Sequence, residues 1–168
     1  MLNLVLVRGL PGSGKSSLAA SLSDHNVAAD DYFMEDGVYN FDPTKLRDAH
    51  AWCFEMMVAD FTESGAKTVV VHNTFTQRWE FQDYIEFARR ENIRLTVVSL
   101  FDNGLSDEEL FDRCTHDVPF KTIVAMRGRY THDWRIPSVQ EVVGPLLKKY
   151  GELATLSEIG RAEGWWPN

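Results

Sequence analysis

The residues from Gly9 to Ser16 spell a phosphate cradle: Gly9-Leu10-Pro11-Gly12-Ser13-Gly14-Lys15-Ser16 sets a glycine, four residues, a second glycine, then lysine and serine. Glycines at these places let backbone N–H groups turn inward around phosphate oxygens, where side chains would collide. A lysine ending such a loop reaches the β- and γ-phosphates of a nucleoside triphosphate, and the following hydroxyl ligates Mg²⁺. Those roles fall to Lys15 and Ser16, with Gly9, Pro11, Gly12, Ser13, Gly14 and Ser17 as the other nucleotide contacts. The loop also lies between an apolar run and a helix start, so an incidental glycine turn is the weaker explanation. The chemistry expected is ATP binding with Mg²⁺ and phosphoryl transfer.

Transfer to an acceptor needs a base and compensating positive charge. Asp30-Asp31-Tyr32 follows a short apolar run, and in an open α/β sheet the carboxyl ends of strands line the ligand crevice. A carboxylate there can take the proton from an attacking hydroxyl as it meets the γ-phosphate. The bland alternative is a helix cap beside a solvated acid. Arg113, Lys121, Arg127 and Arg129 lie in a later stretch suited to a lid, and Arg127 and Arg129, two apart, cannot share a helix face. No Asn-Lys-x-Asp base-reading motif of a small GTPase occurs.

The elements that must hold these groups alternate. Leu4 to Val7, Val27 to Ala29, Val69 to Val71 and Ile93 to Leu100 read as strands. Helices are expected from Lys15 to Ser23, from Pro43 through Met57, from Gln77 to Glu91, after Ser106, and from Pro119 to Met126. Gly37 to Asp42 reads as a loop. The pattern predicts an α/β fold of the P-loop, nucleotide-kinase-like type: a three-layer sandwich, a central parallel sheet with helices on both faces and a helical lid. A single domain over 1–168 is expected, with the lid at about 105–135 and a tail at about 151–168.

Composition agrees with a globular chain of this kind. Its 168 residues suffice for one core, and 44% hydrophobic with 25% charged residues is ordinary for a folded domain. The two cysteines form no disulfide framework or metal pair, no apolar run is long enough to cross a bilayer, and no secretory leader is evident. A cytoplasmic location, no membrane contact and no obligate protein partner are therefore expected. The net charge of −8 argues against long duplex binding by charge, and favours an acceptor gripped locally.

Taken together, the chain resembles the polynucleotide 5′-hydroxyl kinase-like family of P-loop proteins. The matching stretches are Arg8 to Ser16, Asp30-Asp31-Tyr32-Phe33, Tyr39-Asn40-Phe41 with Ala49-His50, Asn73-Thr74-Phe75-Thr76, Arg113 to Pro119, and Met126 to Tyr130. The resemblance implies that Asp30 is the general base, that Arg113 is the lid arginine stabilising transferred charge, and that Asp31, Tyr32, His50, Asn73 and Thr74 face the acceptor. Two positions depart from the pattern. His72 stands where the family commonly has an acid that helps hold Mg²⁺ through water, and Cys114 replaces an asparagine. Mg²⁺ would then rest on Ser16, with Asp30 or Asp31 acting through water.

The implied acceptor is a hydroxyl of a nucleic acid or nucleotide. It is either a 5′-hydroxyl end or the hydroxymethyl group of a modified pyrimidine such as 5-hydroxymethyluracil in DNA. A small-molecule kinase and a regulatory ATPase without an organic acceptor stand as alternatives, the second motivated by His72. Tyr32, Phe33 and Trp79 could stack on an acceptor base, although such rings more often serve a core. Cys53 and Cys114 read as small apolar fillers, and Trp165 and Trp166 carry no assigned function.

Overall fold

The computed structural model describes residues 1–136 and 139–151, together with Glu158 and Ala162. The tail from 152, with Trp165 and Trp166, lies otherwise outside the described residues. Two compact units are present, Met1–Thr131 and His132–Asn168. The second contains helix α6 (Val139–Tyr150), with Pro145 inside it.

In the first unit the elements run β1 (Asn3–Gly9), α1 (Lys15–Leu22), β2 (Asn26–Val27), β3 (Met34–Glu35), β4 (Val38–Tyr39), α2 (Leu46–Thr62), β5 (Thr68–Asn73), α3 (Gln82–Arg90), β6 (Arg94–Phe101), α4 (Asp107–Arg113) and α5 (Phe120–Arg129). Strands β2, β5, β1 and β6 form one sheet in that order, each pair parallel. β1 is therefore central, which is why Leu4, Leu6 and Val7 are fully buried. Alternation along the strands divides the core. Val5, Val7, Val70, Val98 and Leu100 gather around Leu18 and Ala19 of α1. On α2 and α3, Phe54 and Phe61 meet Tyr84 and Phe87 through aromatic contacts at 5.1–6.5 Å. The α/β parallel-sheet fold expected from the alternation is what the chain adopts.

Three local details differ from the expectation. The second strand ends at Val27, and Asp30 and Asp31 lie in a 3-10 turn over Ala29–Phe33. The physical cause is visible: the Asp31 carboxylate accepts from the Ala28 N–H at 2.8 Å, turning the chain out of the strand. The expected loop at 37–42 contains β4, which pairs with β3 as a hairpin. Asp36 and Gly37, at φ 49° and 79°, make the left-handed two-residue turn that such a hairpin prefers. The stretch from Gln77 to Glu91 opens with a 3-10 turn, Arg78–Phe81, before α3 begins.

One buried cation ties the scaffold together at the carboxyl end of β1. Arg8 is fully buried, and its guanidinium donates to the carbonyls of Phe75 (2.9 Å), Thr76 (3.0 Å) and Thr131 (2.8 Å). Its plane also lies 4.1 Å from the Tyr130 ring centre. Phe75 sits at φ 42°, a left-handed value that is costly for a bulky residue, and this clamp is what holds it.

Candidate active site

The loop after β1 is closed in from several sides. Gly12 and Gly14 have φ of 79° and 97°, so successive N–H groups face a common hollow at the start of α1. A Cβ on Gly9 would stand 2.7 Å from Ser13 Oγ, and one on Gly12 would stand 2.3 Å from the Leu110 carbonyl oxygen. Both glycines are thus required by close approach. Asn103, from the turn after β6, donates to the Ser13 carbonyl at 3.2 Å and braces the loop from behind.

Lys15 is half-buried, and its ammonium donates to the Leu10 carbonyl at 2.9 Å. Burial brings its pKa down from 10.5 to about 8, with Asp30 and the Cys114 thiol acting in the opposite direction. Arg113, the last residue of α4, donates from Nε to the Gly12 carbonyl at 3.1 Å. Its guanidinium reaches within 3.9 Å of where a Gly14 side chain would begin. The structure therefore brings Arg113 onto the loop. Two of the cations named with it are engaged elsewhere. Arg127 donates to Asp107 (2.7 Å), to Asp102 and to the Leu105 carbonyl (2.9 Å), and Arg129 donates to Thr76 Oγ1 at 3.1 Å.

The two acids separate by role. Both are exposed; Asp31 caps the 3-10 turn, whereas Asp30 accepts from the Tyr39 hydroxyl at 3.1 Å. Asp30 lies within electrostatic reach of Lys15, Tyr39, His50, Cys53 and His72. His72 is buried at the end of β5, and burial lowers its pKa; Asp31 counters this, Lys15 adds to it, and Asp30 counters it. A neutral ring is what that balance favours at neutral pH. His50, on α2, is lowered mainly by burial.

Other residues named for the acceptor side have structural duties. Asn73 accepts from the Ala29 N–H at 2.8 Å and donates to Cys53 Sγ at 3.6 Å, pinning the turn that carries Asp30 to β5 and α2. Thr74 lies partly buried beside the loop, its carbonyl accepting from the Gly9 N–H at 3.2 Å. Tyr32 packs on Phe33 and Trp52. Trp79 is 66% exposed and donates to Gln77. Cys53 is buried, and Cys114 packs on the lid cluster of Leu10, Leu110, Ile123 and Tyr130.

Sequence reasoning assigned no role to Tyr39, to His116 or to Arg8. The Tyr39 ring lies on His116, with centroids 4.0 Å apart and planes 26° apart. The Asp36-Gly37 pair was the signal for the hairpin that delivers Tyr39, and nothing in its spacing announces the partner.

No group of three or more His, Cys, Asp or Glu side chains that could cage a metal occurs among the described residues. Mg²⁺ needs no such cage, because it keeps several waters and takes few protein ligands. The residues fit it. Ser16 is exposed in the first turn of α1, and Asp30 and Asp31 each have one carboxylate oxygen outside the hydrogen bonds described above.

Comparison with known proteins follows the same lines. The profile of a family described as AAA domain matches residues 4–132. Human NEDD4-binding protein 2 is 32% identical over 146 residues, covering 81% of this chain. The chain spans only 8% of that protein's length. A solved structure of deoxyadenosine kinase from M. mycoides with bound dATP aligns over 89% of this chain and 100% of its own. It does so at 10% identity and a TM-score of 0.33, which adds nothing to the strand order described above.

Proposed function

The chain belongs to the AAA-domain family whose profile spans residues 4–132, and from that premise we propose that it is an ATP-dependent kinase acting on a hydroxyl of a nucleic acid or nucleotide. The observation that carries the reading is the pairing of a phosphate cradle, crossed by Arg113, with an exposed carboxylate, Asp30, held by Tyr39. A protein that only bound nucleotide would have no use for an oriented acid on the acceptor side.

In this mechanism the acceptor hydroxyl oxygen attacks the γ-phosphorus, and the bond to the bridging oxygen of ADP breaks. Asp30 takes the hydroxyl proton. Lys15 and Arg113 stabilise charge gathering on the transferring group. Mg²⁺, when bound, would be held by Ser16 and would neutralise charge on the β- and γ-oxygens.

An open concavity of about 760 Å³ adjoins the hairpin, lined by Tyr32, Phe33, Tyr39, Phe41 and Lys45 among others. Of its rings, Tyr32 and Phe41 are exposed, and an unpaired planar ring of an acceptor could stack there, since stacking binds bases without strong sequence preference. A 5′-hydroxyl polynucleotide end and the hydroxymethyl group of 5-hydroxymethyluracil in DNA both meet that description. A second reading, a regulatory ATPase that passes phosphate only to water, draws on one observation: the buried His72 brings no negative charge where a metal-holding acid is common.

The test uses γ-labelled ATP and Mg²⁺ with single DNA strands: one bearing a 5′-hydroxyl, one blocked by a 5′-phosphate, and one blocked but carrying hydroxymethyluracil. Label on the first alone supports an end kinase, and label on the third supports a base kinase. Phosphate release with no labelled strand overturns the nucleic-acid reading. Asp30→Asn should keep ATP binding and lose transfer by about 10²- to 10⁴-fold, whereas Lys15→Ala should lose nucleotide-dependent transfer altogether.

A further inference from the structure

Tyr39 makes contacts that run in different directions. Its hydroxyl donates to Asp30 Oδ1 at 3.1 Å, on the 3-10 turn that follows β2. Its ring lies nearly flat on His116, at 4.0 Å between centroids. His116 belongs to the link between α4 and α5, and that link starts directly after Arg113. One side chain thus joins the candidate base to the lid segment that carries the phosphate-facing arginine.

The chemistry at each end suits this role. Burial, and then the nearby Asp30 carboxylate, push the Tyr39 phenol far above its ordinary range. The hydroxyl is therefore a proton donor at any working pH, and Asp30 is its acceptor. At the other end His116 Nδ1 is shut away from solvent and has no hydrogen-bond partner among the described residues. Ring packing, without a hydrogen bond, holds the lid link to the hairpin, and such a contact forms and releases without breaking a charged pair. The Phe41 ring lies 6.3 Å from that of Tyr39 between centres, with the planes 11° apart.

We propose that Tyr39 is a positioning residue. Its hydroxyl sets the Asp30 carboxylate in the orientation that receives the acceptor's proton, and its stack on His116 makes that orientation depend on a seated lid. The consequence is partition: the γ-phosphate passes to the organic hydroxyl instead of to water. This inference rests on the kinase reading above and adds the device by which the same site excludes hydrolysis.

The experiment measures two rates on the full chain with γ-labelled ATP. They are label transferred to the acceptor strand that serves the wild type, and phosphate released without acceptor. Tyr39→Phe keeps the ring and removes the hydroxyl. Transfer kcat should fall by about tenfold to a hundredfold, as for a reacting group displaced by a fraction of an ångström. KM for ATP should stay unchanged, and phosphate released per transfer should rise. His116→Ala should move both rates the same way, and His116→Phe, which keeps a flat ring, should restore them. The double variant Tyr39→Phe/His116→Ala should be no worse than Tyr39→Phe alone, because both act through one carboxylate.

Wild-type partition in Tyr39→Phe overturns the proposal, as does equal behaviour of His116→Ala and His116→Phe. If Asp30→Asn retains transfer while Tyr39→Phe loses it, Tyr39 does not act through Asp30 and the proposal falls while the kinase reading stands. If the wild type labels no acceptor, the kinase reading falls and takes this one with it. Should His116→Ala fail to fold, Tyr39→Phe, which removes a single oxygen, decides alone.

Discussion

At the scale of single residues, Lys15 is where sequence and physics meet most directly. Its place was readable from spacing, because the cradle demands a lysine directly after the last glycine. Its pKa of about 8 was not, because burial depends on how the loop, α1 and the lid close around it. The sign is simple. The folded protein disfavours the ammonium relative to the unfolded chain, so between about pH 8 and the ordinary value of 10.5 the unfolded chain binds more protons, and stability rises with pH across that window. Nucleotide binding runs the other way, since a neutral amine offers phosphate no charge. ATP affinity should hold steady to about pH 8 and then weaken by up to about tenfold per pH unit. Titration with a fluorescent ATP analogue at pH 7, 8 and 9 would read this, and Lys15→Met should bind weakly with no such slope. The hydrogen bond of Tyr39 to Asp30 belongs to the same scale and was not legible. The two residues meet only because a hairpin folds back over the turn.

At the scale of elements, patterning located most strands and helices and missed what depends on distant partners. The run Leu4 to Val7 and the run Val69 to Val71 are short and wholly apolar, which suits strands covered on both faces. Asp30 and Asp31 read as the end of a strand because local sequence cannot reveal that Asp31 turns back to cap Ala28. Arg8 is the sharpest case of hidden meaning. A charged residue in a central strand resembles a ligand contact, yet its three bonds go to the carbonyls of the β5–α3 loop and of Thr131. Lysine cannot copy that fork. Arg8→Lys should lose at least two of the bonds and strand at least one buried carbonyl, that of Thr76 still accepting from the Thr131 N–H. The expected cost is about 1–3 kcal/mol for each orphaned group, seen as a lower urea midpoint. Transfer should suffer as well, because Phe75 would no longer be held at its left-handed φ.

At the scale of the whole molecule, the alternation of strands and helices was enough to give the fold class, since few architectures bury parallel strands. The strand order, with β1 between β5 and β6, could not be read, because pairing across 60 or more residues leaves no local mark. The six strands and α1–α5 all lie within Met1–Thr131. A chain ending at Ile136 should therefore fold by itself, unfold in one cooperative step, and bind ATP as the full chain does. Coincident circular dichroism and fluorescence transitions in urea would check it; a broad or split transition would mean that the remaining residues complete the core.

On the kinase reading, the close approach of Gly12 to the Leu110 carbonyl also bears on how a product would escape. Leu10 of the phosphate loop shares one apolar cluster with Leu110 of α4 and Ile123 of α5. The start of α4 and of α5 is thus welded to the loop beneath it, and swinging both helices away on a hinge would tear open that core. Cys114 and Val118 pack on the same cluster, so the part of the α4–α5 link left to lift is Thr115 to Asp117, with His116 leaving Tyr39. If the chain transfers phosphate as proposed, that strap of a few residues is its gate, and turnover can be no faster than the strap can lift.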